Sequence, residues 1–409
     1  MKIISATWII TCDDNSTILK DGAIVYDEKI LEVDTLSNIQ KKYPNEKIEF
    51  CGKNSVLMPG LINSHVHLEF SSNSTTLKYG DFMDWLNSVI VNREELIKDI
   101  TTEFIFDKLE EMKKTGTTTI GAISSYSYDL EACVKSPINT VFFSEVIGSK
   151  PDMIDTLFSD FKGRLNSAKS KTSKNFIPAI AIHSPYSVHP FLVRETLTLA
   201  KDENLTVSSH FLESPQEFEW LHKDEGGFLE FFKNFLGQEQ AVTKPKQFLK
   251  QFANIKNLSF THCVEASDDD LEIIKHLGAV INHCPTSNRF LNNTKLDIDR
   301  VLEQKIPFSL GTDGLSSNNS LSMFDELRNA LLIHTEKNIL EFSKILINAA
   351  TKNGSLALGL NKGEFTKGKD ADIIAINLPD EIKSSDDLCM NIILHTKRVE
   401  KTIIGGNNV

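Results

Sequence analysis

Apolar positions follow two different rhythms along this chain. At the N-terminal end, short apolar runs (Lys2–Ile10, Gly22–Tyr26, Ile30–Val33) are broken by Asp13-Asp14-Asn15-Ser16 and Asp27-Glu28-Lys29. Such turn-formers between short apolar runs mark strands and their connections. The same texture returns at the other end in Ala371–Ile376, Asn391–Leu394 and Val399–Gly405. A β unit this thin holds no core alone. The two ends are therefore expected to meet in one small β-sandwich, residues 1–55 plus 362–409.

Between them, eight apolar runs recur: Val56–Ile62, Thr117–Ile123, Thr140–Ile147, Ile177–Ile182, Leu205–Ser209, Leu258–Thr261, Ala279–Asn282 and Pro307–Gly311. Amphipathic stretches separate them, among them Glu103–Lys114, Pro190–Lys201, Asp268–Leu277 and Met323–His334, with apolar residues at helical spacing. Eight buried strands alternating with helices predict an α/β fold of the (β/α)8 TIM-barrel type over residues 56–361. A doubly wound sheet remains an alternative, but the Gly-rich phosphate turn after its first strand is missing.

Composition narrows the function classes. The chain has 409 residues, 40% hydrophobic and 24% charged, which fits a globular protein with a sizeable core and excludes a disordered or fibrous one. A net charge of −12 disfavours nonspecific binding to nucleic acid or to anionic membranes. The six cysteines are scattered without a CxxC pair and read as reduced thiols. The N-terminal MKIISATWIITCDDNS reads as a strand, because no small-residue cleavage site follows its apolar stretch. No apolar run approaches the ~18 residues that span a bilayer, and a cytoplasmic location is expected.

The polar residues that end the predicted strands carry the chemistry. Strand one ends in His65-Val66-His67, strand four in His183, strand five in His210, strand six in His262, strand seven in His283 and strand eight in Asp313. In a barrel these ends form one rim, where active sites are built. A lone histidine at a strand end is more often hydrogen-bonded than ligating; the joint placement is what the plainer reading leaves unexplained. Alternate residues of a strand point the same way, so His65 and His67 present two imidazoles to one point. With His210 and Asp313 they form an N3O set suited to Zn2+ or Fe2+, leaving a position open for water whose pKa the ion would lower. Glu213, three residues after His210, fits a general acid/base that does not ligate, and equally a carboxylate at a helix N-terminus.

Five segments carry a resemblance: Met58-Pro59-Gly60-Leu61-Ile62-Asn63-Ser64-His65-Val66-His67, His210 to Glu213, Thr261-His262-Cys263, His283-Cys284-Pro285-Thr286-Ser287-Asn288, and Leu310-Gly311-Thr312-Asp313-Gly314. From first strand to last, the chain resembles the amidohydrolase superfamily, in its cytosine/guanine/adenosine-type deaminase and chlorohydrolase branch. The resemblance implies one divalent ion per subunit on His65, His67, His210 and Asp313, with Glu213 as proton shuttle and His262 beside the attacking water. A two-metal site on a carbamylated lysine is not expected, because His183 stands where that lysine would be.

The resemblance also bears on substrate. Leu310–Arg328 and His183-Ser184-Pro185-Tyr186 are similar to deaminases of methylthioadenosine and S-adenosylhomocysteine, which implies that His183 contacts a bound nucleoside. His67-Leu68-Glu69 looks more like the aminodeoxyfutalosine deaminases of menaquinone biosynthesis. Glu69 could then hold ribose hydroxyls and Trp85 cover the base, although a structural role is the commoner fate of both. Arg289 could meet the benzoate carboxylate of aminodeoxyfutalosine, although solvation is the commoner fate of such an arginine. The expected activity is hydrolytic deamination of a 6-aminopurine nucleoside, catalysed by Glu213, His262 and Asp313. Guanine deamination or heteroaromatic dechlorination is the rival within enzymes, and an inactive scaffold the rival outside them. A homodimer is the default assembly.

Overall fold

The computed structural model describes residues 1–72 and 75–409. Eight parallel strands form the central sheet: β1 (Leu61–Val66), β2 (Thr117–Ser124), β3 (Asn139–Val146), β4 (Phe176–Ile182), β5 (Val207–Phe211), β6 (Leu258–His262), β7 (Val280–His283) and β8 (Phe308–Leu310). They pair in sequence order, and helices follow most of them. The barrel read from the eight apolar runs is present.

One of those runs is shared between two sheets. Val56–Ile62 divides at Gly60: Ser55–Pro59 pairs with Lys2–Ile10 and with Ile373–Asn377, while Leu61 onward enters the barrel. A Cβ at Gly60 would lie 2.1 Å from the Thr118 hydroxyl oxygen, so glycine alone lets the chain pass there.

The barrel closes between β1 and β8 mainly through side chains. Ser64 Oγ donates to the Leu310 carbonyl at 2.8 Å. The Asn63 amide donates to Thr312 Oγ1 at 2.6 Å, and its Oδ1 accepts from Thr312 N at 3.1 Å. Asp313 N donates to the His65 carbonyl at 3.0 Å. At Gly311 a Cβ would stand 2.8 Å from that of His65.

Both chain ends contribute to a second, mixed sheet of eight strands. Its order runs Asn407–Asn408, Lys401–Ile404, Ile373–Asn377, Ser55–Pro59, Lys2–Ile10, Ile18–Tyr26 and Ile30–Thr35, with Ile48–Phe50 also on Lys2–Ile10. The expected strand Asn391–Leu394 is instead part of the helix Leu388–His395, which packs on the helix Ile339–Ala349. Its buried residues Leu388, Cys389, Ile392 and Ile393 have helical spacing that a four-residue window is too short to reveal. All six cysteines are unpaired. Among the described residues no helix is long and apolar enough to cross a membrane.

Asp372 ties the two sheets together. One of its oxygens accepts from Lys362 Nζ at 2.7 Å and from the Asn139 amide of β3 at 2.9 Å; the other accepts from Gly405 N at 2.7 Å. Lys362 and Asp372 are 6% and 3% exposed, so removing the carboxylate leaves a buried ammonium whose next carboxylate, Asp370, is 3.9 Å away. Asp372→Ala is expected to cost about 3–5 kcal/mol. The check is urea unfolding, in which the midpoint falls while the slope is kept.

Candidate active site

Four side chains meet at the C-terminal rim of the barrel. His65 and His67 come from the end of β1, His210 from β5 and Asp313 from the turn after β8. His210 Nε2 lies 3.2 Å from His65 Nε2 and 3.3 Å from His67 Nε2. Asp313 Oδ1 is 3.7 Å from His65 Nε2 and 3.6 Å from His67 Nε2.

The hydrogen bonds behind these atoms fix which way they point. His210 Nδ1 donates to the His183 carbonyl at 2.8 Å, so its Nε2 carries a lone pair toward the other rings. His65 Nδ1 sits 3.2 Å from Thr261 Oγ1. Asp313 Oδ2 accepts from Ser287 Oγ at 2.7 Å and Ser317 Oγ at 2.8 Å, leaving Oδ1 for the rings. Ligands about 2.0–2.1 Å from a tetrahedral ion stand roughly 3.3–3.4 Å apart. The spacing of this donor set fits one divalent ion.

The electrostatics agree. Burial, reinforced by the neighbouring rings, pushes His65 well below its ordinary pKa and His210 down to about 3, so both stay unprotonated as ligation requires. Burial alone would raise Asp313, but the facing imidazoles outweigh it and hold the carboxylate well below its usual range.

Glu213 stands beside this set, with Oε1 3.4 Å from His262 Nε2. Burial, with Asp313 and Glu217 nearby, pushes its carboxyl well above the usual range. Such a group keeps its proton and can act as an acid. Glu217 positions it: its two oxygens accept from Leu212 N at 3.1 Å and Glu213 N at 2.8 Å, bracing a turn in which Leu212 is left-handed (φ 45°). His262 (φ 73°) and Asp313 (φ 58°) share that strained backbone region, which clusters at functional sites. The His262 ring stacks on His210 at 5.5 Å, and its Nδ1 is 3.0 Å from the Asn288 amide nitrogen.

Above these groups opens a cavity of about 530 Å³. Trp85 and His183 line it; the indole donates to the Ser316 carbonyl at 2.8 Å, and His183 Nδ1 is 2.6 Å from Ser187 Oγ. Leu86, Ile90, Met153, Leu157 and Phe231 make its outer wall apolar, with Arg93 and Lys150 among them. A surface cleft of about 620 Å³ near Asp325 and Arg328 contains none of the candidate groups.

Two expected substrate contacts do not reach the cavity. Glu69 is buried, and its carboxylate accepts from the backbone N–H groups of Ser125, Tyr126 and Tyr128 at 2.7–3.1 Å. It braces the loop after β2 and has no face toward a ribose. Arg289 is exposed on the helix Pro285–Asn292, whose inward face presents Ser287 and Asn288 instead. His283 is also turned away, its Nε2 3.1 Å from that of His334.

Arg93, Lys150 and Glu145 line the cavity without having been singled out in the sequence. A signal for Glu145 existed, since it is the one charged residue of the buried strand Asn139–Val146. Arg93 opens the short helix Arg93–Lys98 and Lys150 lies in the connection after β3, where no periodicity points to either.

The profile of the amidohydrolase family matches residues 56–409. The chain belongs to this family, whose members are metal-dependent. It is 45% identical, over 99% of its length and 98% of the relative's, to an aminodeoxyfutalosine deaminase of a Nitratiruptor species. An adenosine deaminase of Helicobacter pylori is 35% identical, over 100% of this chain and 99% of that one. The crystal structure of a Helicobacter pylori aminofutalosine deaminase in complex with methylthio-coformycin superposes with a TM-score of 0.96 at 34% identity, covering 100% of both chains.

Replacing His210 by Ala in this amidohydrolase is expected to remove most of the divalent ion, because it deletes one of four donors. Metal analysis of the purified variant checks this; a full equivalent of ion would exclude His210 from the set.

Proposed function

We propose that this protein is a hydrolytic deaminase of a 6-aminopurine nucleoside, using one Zn2+ or Fe2+ ion on His65, His67, His210 and Asp313. The observation that carries the reading is a buried Glu213 carboxyl whose Oε1 lies 3.4 Å from His262 Nε2, beside the four-donor set. When bound, the ion supplies Lewis acidity that makes a water acidic near neutral pH. Glu213 delivers its proton to the ring nitrogen next to the amino-bearing carbon as water adds to that carbon, removing the charge that addition would place on the ring. His262 and Asp313 orient the water and take up its proton. A second transfer carries that proton to the amino group; as the C–N bond breaks and ammonia leaves, the remaining hydroxyl proton passes to Glu213, which forms the carbonyl and restores the acid. Water and the amine give a carbonyl and ammonia, and no electrons are exchanged.

Within this class the reading favours aminodeoxyfutalosine. The relatives' names support it, and so does the shape of the cavity. A free base such as guanine would occupy only the end near the donor set, whereas the apolar outer wall with Arg93 and Lys150 suits an aromatic carboxylate. Trp85 covers the base and His183 contacts the nucleoside. Arg93 takes the part first given to Arg289. Its guanidinium lies over the Tyr126 ring at 4.9 Å from the centroid and donates to the Tyr126 hydroxyl, which fixes its plane.

Two measurements test the reading. Glu213→Gln keeps size and loses the proton, so kcat should fall by at least ~10²-fold while bound metal is unchanged; a near-normal kcat would exclude the shuttle role. Arg93→Ala should erode the preference in kcat/KM for aminodeoxyfutalosine over adenosine by about 1.5–3 kcal/mol. An unaltered preference would remove Arg93 from the carboxylate subsite.

A further inference from the structure

Glu145 closes strand β3 one position before its end and lines the cavity near His183. The residue is 1% exposed. Its Oε2 accepts from Ser125 Oγ, and its backbone carbonyl accepts from the Arg164 guanidinium at 2.8 Å. Its Oε1 is buried with no hydrogen-bond partner. An unmatched buried acceptor costs about 1–3 kcal/mol, and more when it is charged. A fold tolerates such a defect in a cavity wall when a ligand brings the missing donor.

The donor is not a second metal ion. Glu145, His183 and His210 do offer atoms within 4.8 Å of one another. However, His210 Nδ1 is committed to the His183 carbonyl and its Nε2 to the first donor set, while His183 Nδ1 lies against Ser184 and Ser187. One carboxylate oxygen and one imidazole nitrogen remain, too few for a protein-held cation. They suit a ligand with neutral O–H donors.

The barrel order says which part of the ligand that is. Glu213, after β5, and His262, at the end of β6, lie on one side of His210, and they mark the edge of the purine being protonated. Glu145, one position before the end of β3, and His183, directly after β4, lie on the other side. A purine with its amino-bearing carbon at the donor set and its protonated nitrogen at Glu213 turns its sugar toward β3 and β4. We infer that Oε1 of Glu145 accepts hydrogen bonds from the vicinal ribose hydroxyls, and that a cis-diol is therefore a specificity element of this site. The inference rests on the nucleoside-deaminase reading and adds the sugar contact that Glu69 does not make.

The test compares kcat/KM for adenosine and 2′,3′-dideoxyadenosine in metal-loaded wild type, Glu145→Gln and Glu145→Asp. Metal content is measured in each. Charge-assisted bonds to the diol predict that wild type favours adenosine by about 10- to 100-fold. The preference should shrink severalfold in Glu145→Gln, which keeps the shape and removes the charge. Glu145→Asp, which withdraws the carboxylate by one methylene, should reduce it too and serves as the second variant if the first does not fold. A wild-type ratio near one overturns the inference, whatever the variants do. So does an undiminished ratio in a folded, metal-loaded variant. Failure of wild type to deaminate adenosine, aminodeoxyfutalosine or any other 6-aminopurine nucleoside is a different result: it refutes the deaminase reading itself, and the diol contact with it.

Discussion

Gly311 lies so close to His65 that even a methyl group between them would collide, and the mouth of the barrel depends on that approach. β1 brings two of the candidate ligands and the turn after β8 brings another, although some 250 residues separate them in sequence. They meet only because the two strands are drawn together by Asn63, Ser64 and Thr312 rather than by a long ladder of backbone bonds. The Asp313 N–H donates to the His65 carbonyl, so the backbone of one candidate ligand holds the backbone of another. A barrel slightly open at this seam would keep every strand and lose the spacing that fits an ion.

Charge at the site follows from the same closure. Burial disfavours the charged forms of His65, His210 and Glu213, while attraction to the facing rings outweighs burial at Asp313 and keeps it ionised. Two carboxyl groups near one point therefore differ in protonation. That contrast separates an acid from a ligand without any difference in side-chain chemistry. Ser287 and Ser317 sharpen it by occupying the outer oxygen of Asp313.

The strands were legible because a buried parallel strand is a continuous apolar run, and the candidate ligands because each follows such a run directly. Legibility ended where placement depends on something other than strand order. Asn391–Leu394 is too short to tell period two from period 3.6. Val56–Ile62 reads as one strand because nothing in its apolar pattern shows that two sheets share it. Glu69 and Arg289 have the right chemistry for a nucleoside with a carboxylate. A loop that needed its N–H groups capped claimed the first, and the rotation of a short helix sent the second into solvent. Arg93 lies beyond any strand and became visible only when helix and barrel were assembled.

Gly60 is all that separates the last strand residue of the terminal sheet, Pro59, from the first of the barrel, Leu61. The chain that carries His65 and His67 is thus a direct extension of a strand held on both sides by the two termini. The terminal sheet cannot fray at Ser55–Pro59 without pulling on β1. Conversely, an ion that fixes the end of β1 restrains that sheet from the inside. By mass action, a ligand that binds only the folded state stabilises everything that must stay folded for it to bind. With the ion on His65 and His67 as proposed, its free concentration would add to the resistance to unfolding of a sheet that contributes none of its donors.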